Sequence, residues 1–189
     1  SYLTMLYGVV AADLKDLGWV LGRAARPQDV ETATWTLGLL GRCEPAASMA
    51  AARRLWGRAA RVMGRFHETY DLYLTPTTAQ PPARIGELKP KPSEVGALKM
   101  VNRLRLGRWL RRSGVIDRIA IRNMARTPFT QLANFTGQPA MSVPLHWTRD
   151  GLPCGVHFMA RNGDEAILFR LAAQLEKTSP WFHRRPTLF

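Results

Sequence analysis

Residues 129–160 read FTQLANFTGQPAMSVPLHWTRDGLPCGVHFMA, and this stretch decides the fold. Its first eight residues predict two turns of helix, because Gly137 can take the left-handed conformation that ends a helix and Pro139 prevents continuation. Apolar and polar residues alternate from Met141 to His146, which is typical of a strand. Asp150-Gly151 is a strong hairpin signal, and a second alternating stretch follows it. The pattern therefore predicts helix, strand, hairpin turn and strand in that order.

The rest of the chain has mostly helical patterns. The longest predicted helix, residues 45–69, carries an apolar stripe with steps of three and four residues, and arginines fill much of its remaining surface. Residues 3–21 predict one helix or two short ones, and further helices are predicted over residues 27–40, 95–112 and 115–126 and after Asp164. A short apolar run at residues 71–75, closed by Pro76, predicts an internal strand. Four prolines within residues 80–93 predict an exposed connector. Pro144 cannot donate to a sheet ladder, so its strand should pair on one side only there, or end there.

Composition indicates a globular protein. The 189 residues, 46% hydrophobic and 22% charged, fit one domain or a large share of a bigger one. No run approaches the ~18 uninterrupted apolar residues that a bilayer-spanning helix needs, so no membrane partner is predicted. Cys43 and Cys154 are too few for a disulfide framework, which favours a reducing compartment and hence the cytoplasm.

The formal charge of +13 is concentrated in one region. Residues 42–126 hold eighteen basic and six acidic side chains, whereas residues 1–41 and 127–189 are close to neutral. Such a region attracts polyanions and makes their binding salt-dependent. The same excess would arise from a solvated helix face, or from a face that packs against an acidic partner segment. Because aromatic side chains do not interleave with the basic ones and no nucleic-acid motif is present, a nucleic-acid partner is not expected.

Catalytic and metal motifs are missing from the sequence. No serine lies in a Gly-x-Ser-x-Gly elbow, and Ser142 lies inside a predicted strand, so a Ser–His triad within this chain is not predicted. Cys154 and His157 are three residues apart on a strand and face opposite sides, which argues against a zinc site. No glycine-rich phosphate-binding loop occurs. The sequence therefore predicts neither a metal nor a cofactor.

Several separated motifs occur in an order that resembles one enzyme family. Residues 75–77 read TPT, residues 134–144 follow the pattern N-x-x-G-x-PA-x-x-VP, and residues 151–156 follow GLP-x-GV. A helix that starts with an acidic residue and ends near Trp181 comes last. In these motifs residues 45–189 resemble the C-terminal part of an amidase-signature amidohydrolase. The resemblance implies an α/β fold, in which a mixed β-sheet is flanked by helices. Residues 1–44 then form a helical N-terminal segment, and residues 80–126 a helical, Pro-rich insertion.

The same resemblance implies a function and an incomplete chain. Enzymes of this family hydrolyse carbon–nitrogen amide bonds with a Ser–cis-Ser–Lys triad that lies in a Gly/Ser-rich part of the N-terminal half. That signature has no counterpart here, so we expect a C-terminal fragment that contains no catalytic residue and is inactive alone. The expected partners are a small-molecule amide substrate and the missing N-terminal catalytic half. Apolar surface left uncovered would favour self-association into a homo-oligomer.

Five residues are predicted to line or brace the substrate pocket. Thr130 and Asn134 match the family's Thr-x-x-x-Asn element, and Phe129 precedes it directly. Thr75 and Thr77 come second, because ligands of open α/β sheets bind beyond the carboxyl ends of strands. For Thr130 and Asn134 the alternative is local hydrogen bonding to the backbone, and for the other two threonines it is capping of a turn. The family more often has Gln at position 157, so the resemblance assigns His157 no role.

Two further interpretations remain open from the sequence. The chain could be a basic module that binds nucleic acid through residues 53–126. It could also be a non-catalytic structural subunit that has lost its enzymatic half and persists through association.

Overall fold

A computed structural model describes residues 1–185 and divides the chain into two compact units. The first unit consists of Ser1–Trp56 and Ala83–Asn123, and the second consists of Gly57–Pro82 and the residues from Met124 onward. The helices are α1 (Tyr2–Val20), α2 (Thr32–Gly41), α3 (Ala46–Phe66), α4 (Pro92–Arg103), α5 (Gly107–Ser113), α6 (Val115–Met124), α7 (Gln131–Thr136) and α8 (Glu165–Thr178). The strands are β1 (Leu72–Pro76), β2 (Ala140–Trp147) and β3 (Pro153–Ala160). The predicted α/β class is confirmed.

The first unit is helical and closes around a small apolar core. Tyr7, Leu40 and Leu110 are buried together, so α1, α2 and α5 meet at this point. The helix predicted over residues 27–40 is wrong in its first turns. There the structure has a short 3-10 helix, Pro27–Asp29, and α2 starts only at Thr32.

The helix predicted over residues 95–112 is also wrong, because the structure has two helices there, α4 and α5. Arg105 between them has a φ of 53°, which is incompatible with a continuous α-helix. Gly107 then starts α5 close to α2, where an added Cβ would lie 3.0 Å from the Leu39 carbonyl oxygen. The break follows from tertiary packing, since it lets α5 begin against α2 and bury Leu110.

The second unit is built on a three-stranded antiparallel sheet with the order β1-β3-β2. β1, which was predicted to be internal, is an edge strand among the described residues, and β3 is central. The prediction for Pro144 is confirmed, because β2 is an edge strand and its register shifts between Pro144 and His146. Gly151 has a φ of 77° in the predicted hairpin turn.

The helix α8 covers one face of this sheet. Val143, Phe158 and Ala160 are buried together with Leu168 of α8. Successive side chains on a strand point to opposite faces. The neighbours of these apolar residues along β2 and β3, which include Ser142 and His157, therefore lie on the face that α8 leaves uncovered. None of the helices within residues 1–185 combines the length and apolarity that crossing a membrane requires.

Candidate functional site

Two threonines, a serine, a glycine and a histidine come together on the sheet face opposite α8. His157 of β3 is the register partner of Thr75 on one side and of Ser142 on the other. Gly155 lies two residues before His157 on the same face, and Thr77 follows β1. We call Thr75, Thr77, Ser142, Gly155 and His157 the hydroxyl face.

The outer part of the hydroxyl face is a pair of hydrogen-bonded hydroxyls. Thr77 Oγ1 and Ser142 Oγ are 2.6 Å apart, and the Ser142 residue is exposed. The Thr77 N–H donates to the Gly155 carbonyl oxygen at 3.0 Å, which fixes the threonine against β3. A Cβ on Gly155 would overlap Ser142 Oγ and lie 2.6 Å from Thr77 Oγ1. The pair can therefore form only because position 155 has no side chain.

The inner part of the hydroxyl face is buried and neutral. Thr75 Oγ1 and His157 Nδ1 are 3.2 Å apart, and the two residues are only 7% and 4% exposed. Burial lowers the pKa of His157, because desolvation penalises the imidazolium more than the imidazole. His157 is thus uncharged at neutral pH, and the other four residues of the hydroxyl face do not titrate.

The loop after Thr77, residues 79–81, is hydrogen-bonded to Arg126, which precedes α7. The Ala79 N–H donates to the Arg126 carbonyl oxygen at 2.8 Å. The Arg126 guanidinium donates to Gln80 Oε1 at 2.8 Å and to the Pro81 carbonyl oxygen at 2.6 Å. These bonds bring the loop after Thr77 beside the segment that leads into residues 129–160.

The structure brings only some of the predicted pocket residues together. Thr75 and Thr77 share the hydroxyl face. Phe129 and Thr130 are half-buried in the turn before α7, and Asn134 is exposed on α7. Thr130 Oγ1 donates a long hydrogen bond, 3.4 Å, to the Thr127 carbonyl oxygen, which is the local backbone bonding that the sequence left open. Among the described residues no hydrogen bond links these three residues to the hydroxyl face. A pocket role for all five stays a prediction.

Sequence reasoning missed three members of the hydroxyl face. Ser142 and His157 were considered only as parts of a triad or a zinc site, and Gly155 only as part of a motif. The prediction that Ser142 lies inside a strand is confirmed, and its hydroxyl bonds to Thr77. A signal was available in the alternation of the two hairpin strands, which places small polar residues opposite the apolar face.

Metal ligands and free thiols are the remaining candidates for chemistry in the part of the chain that the structure describes. Within residues 1–185 no three His, Cys, Asp or Glu side chains are placed to hold a metal ion. Cys43 and Cys154 are free thiols.

Arg58, Arg61 and Arg65 are exposed on α3 and make no salt bridge to a described residue.

Comparisons with known proteins identify relatives along most of the chain. The family model described as Amidase matches residues 43–169. The 6-aminohexanoate-cyclic-dimer hydrolase of Pseudomonas sp. (strain NK87) is 30% identical over 191 aligned residues, which cover 100% of this chain and 35% of that protein. The lipoamidase of Enterococcus faecalis is 31% identical over 156 residues, which cover 82% of this chain and 21% of that protein.

A solved structure is also similar. The 6-aminohexanoate cyclic dimer hydrolase complexed with substrate has a TM-score of 0.73 and 27% sequence identity, and the match covers 98% of this chain and 36% of that chain. This chain spans 20% to 35% of the length of the curated relatives that it matches.

Proposed function

The chain belongs to the amidase family, and on that premise we propose that it is the C-terminal part of an enzyme that hydrolyses carbon–nitrogen amide bonds. Relatives named as a cyclic-dimer hydrolase and a lipoamidase support this activity. The observation that carries the proposal is the match of residues 43–169 to the family, because that range contains the whole hydroxyl face. In the proposed enzyme this chain supplies a wall of the substrate pocket.

We further propose that the reactive groups come from another part of the enzyme. Acyl transfer by serine needs a base within hydrogen-bond reach of the hydroxyl. Ser142 Oγ bonds instead to Thr77, and the His157 Nδ1 that could act as a base bonds to Thr75. Both arrangements support a binding role for Ser142. The Ser–cis-Ser–Lys triad implied by the family resemblance would then be supplied by the remaining portion of the enzyme, and this chain alone would be inactive.

The missing catalytic half is proposed to extend the sheet at β1. β2 is a poor edge for another strand, because Pro144 has no N–H to donate and the register shifts next to it. β1 is the other edge, and its Leu74 is 60% exposed on the face that α8 covers elsewhere. An added strand beside β1 would pair its outer backbone groups and cover Leu74. An isolated chain would expose this edge, and self-association into a homo-oligomer would follow.

The remaining expectations are retained as parts of the proposal. The substrate is a small-molecule amide, and no cofactor is used. The exposed arginines of α3 contact solvent or an acidic part of the enzyme, and not nucleic acid. Two free thiols support a reducing compartment such as the cytoplasm.

Activity assays on two proteins test the proposal. The 189-residue chain and the polypeptide that its gene encodes are each assayed against simple aryl amides. We expect turnover by the encoded polypeptide and none by the 189-residue chain. Serine-dependent turnover by the chain alone would show that the argument about the triad is wrong. A gene product without amidase activity, and without a companion polypeptide that restores it, would refute the proposed function.

A further inference from the structure

The Thr77–Ser142 pair has hydrogen-bonding capacity that no side-chain bond within residues 1–185 uses. Each hydroxyl has one hydrogen to donate and two lone pairs to accept. The bond between Thr77 Oγ1 and Ser142 Oγ consumes one of the two hydrogens. The second hydrogen stays available on whichever hydroxyl accepts. When one hydroxyl of the pair donates to the other, the accepting hydroxyl is polarised, and the hydrogen bond that it donates to a ligand is strengthened.

The pair is fixed in position before any ligand arrives. Thr77 is held through its backbone N–H, which bonds to the Gly155 carbonyl oxygen at 3.0 Å. Ser142 is held by its place in β2 opposite His157. The absent side chain of Gly155 lets both hydroxyls approach the backbone of β3. A binding group that is already ordered loses little conformational entropy when a ligand binds.

The surroundings of the pair favour an uncharged ligand group. His157 is the titratable member of the hydroxyl face, and it is buried and bonded to Thr75. The nearby Arg126 already donates to Gln80 and to the Pro81 carbonyl oxygen. A carboxylate at the pair would therefore meet no free cation from these residues. A neutral amide carbonyl accepts a hydroxyl hydrogen without that requirement.

We propose that Ser142, together with Thr77, is a specificity-determining residue that donates a hydrogen bond to an uncharged amide group of the substrate. The inference rests on the proposed amidase function and adds to it the role of one residue, Ser142. Ser142 binds and orients the substrate in this proposal and takes no part in bond cleavage.

The first experiment uses the 189-residue chain and two simple probes, hexanamide and hexanoate, which differ in the charge of the polar group. Each probe is titrated while the backbone amide resonances are followed by NMR. We expect hexanamide to shift the resonances of Thr77, Ser142 and Gly155, and hexanoate to leave them in place. Ser142→Ala should weaken hexanamide binding by roughly two- to tenfold, the worth of one neutral hydrogen bond.

Two variants make the titration specific. Ser179→Ala removes an exposed hydroxyl after α8 in the same unit and should leave hexanamide binding unchanged. Gly155→Ala should displace both hydroxyls and abolish the shifts, while the rest of the spectrum reports whether the unit is folded. An absence of shifts in the unsubstituted chain, equal binding of hexanoate, or unchanged binding by Ser142→Ala would each overturn the inference.

The second experiment separates this inference from the proposed function. In the polypeptide that the gene encodes, Ser142→Ala should raise KM for a neutral amide by a similar factor and leave kcat unchanged, because a binding contact made equally in the ground state and the transition state affects KM alone. Amide hydrolysis with an unchanged KM would refute the role of Ser142 and leave the amidase function standing. If hexanamide binds at the pair but the encoded polypeptide hydrolyses no amide, the amidase function would be refuted and the binding role of Ser142 would stand.

Discussion

Arg111→Ala should destabilise the first unit more than any other arginine truncation on α5. Arg111 Nε forms an ion pair with Glu44, whose side chain is 2% exposed. Arg111 Nη1 lies 2.9 Å from Asp117 Oδ2, and the guanidinium lies 5.7 Å from the centroid of the Tyr7 ring. The Tyr7 hydroxyl donates to Asp117 Oδ1 at 2.7 Å. One guanidinium thus joins two carboxylates and an aromatic ring.

The magnitude follows from how far each of the two carboxylates is buried. Removing one partner of a buried ion pair costs about 3–5 kcal/mol, because the remaining charge is left buried and unpaired. Glu44 meets this condition, whereas the side chains of Arg111 and Asp117 are 29% and 30% exposed and water can replace part of their interaction. We therefore expect a loss near the lower end, about 3 kcal/mol in the free energy of unfolding.

Urea unfolding followed by circular dichroism measures this loss, provided that the m-value is unchanged. Arg112→Ala is the matched control, since Arg112 is exposed on the same helix and its truncation should cost within about 0.5 kcal/mol. Adding Glu44→Gln to Arg111→Ala should recover part of the loss, because the unpaired buried charge is then gone. A loss below about 1 kcal/mol for Arg111→Ala, or no recovery in the double variant, would refute the argument that an unpaired buried Glu44 sets the cost.

Three further outcomes are expected. The Arg23 guanidinium and the Arg26 backbone N–H lower the pKa of Asp29 to about 2. A pKa lowered in the folded state gives a stabilisation that is present at neutral pH and is lost as the pH falls toward that value. An NMR titration of the Asp29 carboxyl should show the lowered pKa, and Asp29→Asn should remove this pH dependence of stability. Burial also lowers the pKa of His157, so protonation of the imidazole opposes folding. The free energy of unfolding should therefore decrease as the pH falls below the ordinary histidine pKa. In urea unfolding at pH 5 and pH 7, His157→Gln should make this decrease smaller. Gly155→Ala should cost about 1–3 kcal/mol by overpacking, measured by thermal unfolding, and a neutral result would show that the sheet yields easily at this position.

The hairpin shows how far the sequence predicts the fold and where prediction stops. Alternation and the Asp150-Gly151 turn were enough to place both strands, but counting residues from the turn does not give the register between them. Near the turn Trp147 pairs with Pro153, and counting outward from there without interruption would pair Ser142 with Phe158. The irregularity between Pro144 and His146 shifts the register by one residue, so that Ser142 pairs with His157.

The packing of apolar side chains gives a physical reason for this shift. With the observed register Val143 pairs with Val156, and Val143 and Phe158 both reach the core under α8. An unshifted register would bring Val143 opposite His157 and mix the two faces. Pro144 makes the irregularity tolerable, because it has no N–H that a regular ladder would have to satisfy. Local alternation identifies the apolar face of each strand, and burial under α8 selects the register that brings the two apolar faces together.

The break between α4 and α5 has the same origin. Residues 104–106 have no proline or glycine, so local propensity favours one helix. The positive φ of Arg105 costs conformational energy, and the burial of Leu110 against α2 offsets that cost. Elements set by local chemistry, such as the Gly137 helix end and the hairpin turn, were therefore predictable, and those set by packing were not.

The hydroxyl face results from these packing choices rather than from a catalytic motif. Once α8 and the shifted register assign the apolar side chains of β2 and β3 to one face, Ser142, Gly155 and His157 are left on the other. Burial keeps His157 neutral, and the glycine leaves room for two hydroxyls. Such a surface can donate and accept hydrogen bonds, but its one basic group is not bonded to Ser142, because His157 Nδ1 bonds to Thr75 and Ser142 Oγ bonds to Thr77. Under the proposed function, recognition and bond cleavage would lie in different parts of the enzyme, and this chain would supply recognition.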